Sequence, residues 1–167
     1  MDSGWAVLLG AFIAGAFGFV GPWLREARTE RLARERAREV AIREATLGVL
    51  KDAVFLATTN RAARNAFGEA NRDAIVSISR LGVLLTTADA DIDLVVQKAI
   101  GVIGNGESPT QAANVLALQS VMHRWVRGEL NGSEVREAFD AQVAMRLRDR
   151  AAAVDLTTPP RSEPGAG

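Results

Sequence analysis

Three short stretches carry residue types that could do chemistry. Gly101-Val102-Ile103-Gly104-Asn105-Gly106-Glu107-Ser108 has the spacing of a phosphate-binding loop, G-x-x-x-x-G-K-S, except that Glu107 stands where the lysine belongs. In such loops the lysine reaches the β and γ phosphates, so a carboxylate there repels a nucleotide. No strand-like segment precedes the stretch and Pro109 follows it, so it reads as a turn between two helices. Asp89, Asp91 and Asp93 are spaced like the first three ligands of a calcium loop, but Leu94 and Ile100 occupy the places of the required Gly and Glu. Acidic residues in the first turn of a helix, complementing its dipole, account for them. His123 is the single histidine, one residue off the Met122 and Trp125 stripe, and without further soft ligands it builds no zinc site; it reads as a surface or boundary residue. The chain has no Cys, which excludes thiolate metal sites, disulfides and a Cys nucleophile. The expectation is a protein that is not an enzyme and holds no cofactor or metal.

A different chemistry is open to the basic residues. Arg25, Arg28 and Arg31 begin an arginine-rich stretch that continues through Arg34, Arg36, Arg38 and Arg43, and such residues next to a bilayer attract anionic headgroups. Glu26, Glu30, Glu35, Glu39 and Glu44 are interleaved and neutralise much of that charge locally. No aromatic residue is interleaved for base stacking, and the whole chain has 20 basic and 20 acidic residues, so no nucleic acid is expected as a partner.

The element that would position these arginines is the run before them. Residues 4–24 contain no charged side chain, and at a 1.5 Å rise about 20 helical residues span about 30 Å, the thickness of a bilayer core. Trp5 and Trp23 stand at its two ends, where indole rings favour the headgroup layer. A cleaved signal peptide would need a basic start, a shorter apolar core and a small-residue cleavage site, whereas this run follows Asp2 and ends in Pro22-Trp23. Residues 1–24 are therefore expected to be a transmembrane anchor. The arginines after it place the C-terminus in the cytoplasm and the N-terminus outside, a single pass of the cell's inner membrane. Gly10, Ala14 and Gly18 fall four apart on one face, a small-residue stripe that suits self-association into a homo-oligomer.

Residues 25–154 are expected to form a cytoplasmic helical domain, of which 25–39 is a charged juxtamembrane helix with Glu30 to Arg34 and Glu39 to Arg43 pairs. The same helix should continue to about Asn65, burying Val40, Leu47, Leu50, Val54 and Ala57, with Gly68 as its stop. After a loop from Gly68 to Asn71, residues 73–86 place Ile75, Ile78, Leu81, Gly82 and Leu85 on one helical face. Thr87 should cap the next helix, with Ile92, Val95, Val96, Ala99 and Ile103 buried and Gly104 and Gly106 at its end. Ser108, Pro109 and Gln111 give a cap, a first-turn proline and a third-position glutamine, opening a helix that buries Val115, Leu118, Met122 and Trp125 until Asn131-Gly132. A last helix from Ser133 offers Val135, Phe139, Val143 and Leu147. Residues 155–167 are rich in Pro, Gly and Ser and are expected to be a disordered tail.

In layout the chain resembles uncharacterised small single-pass membrane proteins of actinobacteria and their phages. These are similar in their N-terminal apolar helix, an Arg/Glu-rich exit such as LREARTERLARERARE, and a cytoplasmic bundle of further helices. The likeness covers about residues 5–150 and implies no activity. The fold expected is all-α, an N-terminal transmembrane helix followed by an antiparallel bundle. The function expected is a tethered interaction or scaffold module, with the lipid bilayer and a protein as partners. Two alternatives stand beside it: a small membrane-active or regulatory protein, of the phage accessory or pore-forming kind, acting through anchor oligomers, and a nucleotide- or metal-dependent enzyme.

Overall fold

A computed structural model describes the backbone of residues 3–106 and 108–157 and the side chains of residues 26–106 and 109–153. Five α-helices follow one another: α1 (Ser3–Thr58), α2 (Arg64–Leu84), α3 (Ala90–Asn105), α4 (Ser108–Val126) and α5 (Val135–Thr157). Short 3-10 turns at Thr87–Asp89 and Gly132–Glu134 lead into α3 and α5, and the described residues contain no strand. Among the described residues no helix is long and apolar enough to cross a membrane. The side chains of the expected anchor, residues 4–24, lie outside that set.

The chain divides into two compact units, Met1–Ala41 and Ile42–Gly167. In the first, residues 26–40 of α1 are exposed on every side. Nothing apolar is buried there, so the helix rests on its own propensity and local pairs. Arg34 Nη2 meets Glu30 Oε2 at 2.9 Å and Arg31 Nε meets Glu35 Oε1 at 3.2 Å, each four residues apart. Such pairs contribute about 0.3–0.5 kcal/mol apiece.

The second unit holds one continuous core. Val49, Leu50, Ala53 and Leu56 of α1 meet Ala70, Ala74 and Leu81 of α2, the α3 residues Ile92, Val95, Val96, Ala99, Ile100 and Ile103, and Leu118, Val121 and Met122 of α4, with Val135 and Phe139 of α5. α3 packs against α2, α4 and α5, which explains why its sequence is apolar over so wide an arc. The stripes expected for α3 and α4 are buried as read, except that Trp125 is half-buried. In α5 burial fades along the helix, from Val135 and Phe139 to an exposed Leu147.

Four sequence expectations are corrected. α1 ends at Thr58, about seven residues early, because Thr58 and Thr59 turn their hydroxyls back to Phe55 O and Asn60 Oδ1 accepts from Ala62 N at 2.9 Å, an Asx turn that competes with helix. Gly68 and Asn71 consequently lie inside α2, where a Cβ on Gly68 would meet only open space. The expected cap at Thr87 is displaced: Thr86 caps the 3-10 turn Thr87–Asp89, and Asp89 is the residue flanking α3. Thr86 Oγ1 donates to Asp89 Oδ2 at 2.7 Å and the same oxygen accepts from Thr86 N, a reciprocal box spaced T-x-x-D. Finally, α4 stops at Val126 because Gly128 takes a φ of +73° and the amides of Gly128 and Glu129 bond Trp125 O and Arg124 O, a Schellman closure.

The inward faces of α1 and α2 also differ from expectation. Val40, Leu47 and Val54 are exposed, and so is Ile75, whereas Thr46, Val49, Leu50, Ala53, Leu56, Ala70, Ala74, Ser77 and Leu81 are buried. Residues 46–57 are apolar nearly all round, so periodicity alone does not choose a face. Small residues choose it: a Cβ on Gly48 would sit 3.6 Å from Ser77 Oγ, and that hydroxyl donates to Asp52 Oδ2 at 2.5 Å across the α1–α2 contact.

Candidate functional site

Of the residues singled out for lipid or self-association, Gly10, Ala14, Gly18 and Arg25 have side chains outside the described set. Arg28 and Arg31 are exposed, and Arg31 is engaged with Glu35. An exposed pair of this kind is weak, so it does not fix Arg31 to Glu35.

The glycine-rich stretch is a helix end. Residues 101–105 are the last turn of α3, Gly106 N donates to Val102 O at 2.6 Å, and α4 begins at Ser108. The freed carbonyls of α3 are taken by side chains. Arg61 Nη2 donates to Gly106 O at 2.6 Å and to Ile103 O at 3.4 Å, while Gln111 Nε2 donates to Ile103 O at 2.6 Å. A guanidinium at a helix C-terminus opposes the negative end of the dipole. Arg61 also lies 5.9 Å from the centre of the Phe67 ring, so one side chain ties the α1–α2 linker to the end of α3. The peptide units here face a cation and an amide, the reverse of a phosphate cradle.

The acidic trio is likewise dispersed. Asp89 belongs to the Thr86 cap and Asp93 accepts from Gln97 Nε2 at 2.7 Å. Among the described residues no group of three or more His, Asp or Glu is placed to hold a metal ion. His123 is exposed on α4, as expected of a lone histidine.

Protein families, curated proteins and solved structures offer no match to this chain.

One feature of the bundle was not read from the sequence. Between α2 and α3 lies a cleft of about 460 Å³ with an apolar floor formed by Phe67, Ile75, Ile78 and Ile100. Its polar groups are Asn71, Ser79, Gln97 and Asn105, and Gly101 and Gly104 leave one wall low. Among the described residues no ionisable side chain lines it. No sequence signal announced it: Ile75 reads as part of the inward face of its helix, and Gly101 as part of a glycine-rich helix end. A second, shallower groove of about 310 Å³ runs between α1 and α4, lined by Val54, Ala57, Val115 and Leu116.

Proposed function

We propose that the chain is a membrane-tethered helical module without catalytic activity of its own, which holds a compact bundle at the bilayer surface for a protein partner. The observation that carries this reading is the uncharged run of residues 4–24, framed by Trp5 and Trp23 and followed by seven arginines before residue 44. It is supported by residues 26–40 being exposed all round, as a solvated stem requires, and by the polar side chains Arg61, Thr86 and Gln111 serving to cap and link helices. Orientation follows from the same arginines, which stay on the cytoplasmic side.

The absence of Cys makes the test direct. Single variants Ser3→Cys and Ser133→Cys are treated in intact cells with a maleimide that does not cross membranes. The expected result is labelling of position 3 in intact cells and of position 133 only after lysis. Labelling of neither position before lysis, with the protein released by alkaline carbonate, would overturn the tethered reading.

The stripe Gly10, Ala14 and Gly18 favours a second reading, in which activity resides in oligomers of the anchor. Replacing all three with Leu should abolish crosslinked oligomers and any membrane activity on that reading. On the module reading, an unrelated membrane helix fused ahead of residue 25 leaves partner capture intact.

A further inference from the structure

The geometry points to the cleft between α2 and α3 as a binding site for a small uncharged molecule with an apolar body and an edge that carries both a donor and an acceptor, as an imide or carboxamide does. The inference concerns the bundle alone and stands whether or not the anchor reading holds.

Size comes first. The cleft's volume of about 460 Å³ falls within the range of about 300–1,000 Å³ usual for small-molecule sites. Its apolar lining is firm, because Phe67, Ile78 and Ile100 are held by the core while Ile75 remains half exposed beside them.

The rim decides the ligand's edge. Asn71 and Asn105 each offer one carbonyl oxygen and one amide, and neither is engaged in a hydrogen bond among the described residues. Gln97 spends its Nε2 on Asp93 Oδ2, which leaves its Oε1 as an acceptor, and Ser79 donates to Ile75 O at 2.9 Å, which leaves its oxygen able to accept. The cleft therefore presents donors and acceptors together. A charged ligand would lose hydration here and meet no counter-ion among the described lining residues, so a neutral one is favoured.

The glycines supply the access. A Cβ on Gly101 would meet nothing within 4 Å, and one on Gly104 would lie 3.8 Å from Asn71 Oδ1 and 3.9 Å from Leu56 Cδ2, ordinary contact distances. Packing thus requires glycine at neither position, and glycine is the poorest helix former after proline. What both do is keep the cleft wall low.

The test is a titration of the full chain in detergent micelles, with isoleucine methyl groups observed by NMR. Nicotinamide and uracil are the neutral probes, and nicotinate and orotate their charged counterparts. The expected result is saturable shifts at Ile75, Ile78 and Ile100 with the neutral probes, and binding at least about tenfold weaker for the charged ones, which equals about 1.4 kcal/mol. Gly101→Leu should abolish the shifts without lowering the melting temperature. Should Gly101→Leu not fold, Asn105→Leu at its exposed position gives the second reading, an expected loss of about tenfold or more for both neutral probes. Absence of saturable shifts with either neutral probe, equal binding of the charged pair, or wild-type binding by the variant that folds would each overturn the inference.

Discussion

Gly132 shows how one missing Cβ can join two elements. A Cβ built there would come within 2.6 Å of Ala88 O and 3.1 Å of Asp89 Cα, so the two 3-10 turns approach through this position. Neither backbone atom is the end of a flexible side chain, and relief requires moving the cap of α3. Gly132→Ala should therefore destabilise the bundle by about 1–3 kcal/mol, the usual cost of overpacking, read from denaturant unfolding of the full chain in detergent. Gly128 differs in kind. Its constraint is the φ of +73°, with nothing within 4 Å, so Gly128→Ala should cost only about 1 kcal/mol from backbone strain. Equal losses for the two variants would show that the close approach at Gly132 is absent. In the sequence Gly132, with Asn131, reads only as the break after the fourth helix, and Gly128 carries no signal of its own. The neighbour of Gly132 lies more than forty residues earlier in the chain, a contact that no local pattern encodes.

At the scale of the element, what was legible depended on how one-sided each helix is. α3 puts Ile92, Val95, Val96, Ala99 and Ile103 inward while Gln97 and Lys98 face out, and its buried stripe was read correctly. In α1 two apolar faces compete. Val40, Leu47 and Val54 repeat at seven, the stronger period, yet the core took Val49, Leu50, Ala53 and Leu56, because α2 offers Ala70, Ala74 and Ser77 and close approach favours the side with Gly48 and Ala53. Substitution by Asp separates the faces. Val49 is 1% exposed and Leu47 60%, so Val49→Asp should abolish cooperative unfolding while Leu47→Asp shifts stability by no more than about 0.5 kcal/mol. The reverse outcome would restore the heptad face as the inward one. Helix ends were harder to read than faces, since Thr86 with Asp89 and Asn131 with Glu134 are both reciprocal boxes, whereas the Asx turn at Asn60 looks in sequence like any polar residue within a helix. The cleft was least legible of all, because it exists only between two helices and is defined by residues that fail to fill it.

For the molecule as a whole, the two units draw on different solvents in the proposed reading, and their stabilities should separate. The run of residues 4–24 contains nine Val, Leu, Ile or Phe residues, each contributing about −0.3 to −0.6 kcal/mol to insertion at the membrane centre, or about −3 to −5 kcal/mol together. An arginine at mid-run costs about 2.5–3.5 kcal/mol, so Ile13→Arg takes back most of that gain and Ile13→Arg with Phe17→Arg exceeds it. The fraction resisting alkaline carbonate extraction should fall with the first substitution and vanish with the second. On the proposed reading lipid or detergent, and not the bundle core, takes up these residues, so in detergent both variants should unfold at the wild-type denaturant midpoint. Retention of the doubly substituted chain in the carbonate pellet would mean that something other than the apolar run holds the protein to the membrane, and the arginines after it would be the next place to look. A lowered midpoint would instead show that the run contributes to the bundle's own core, and lipid would lose its place as the solvent of residues 4–24.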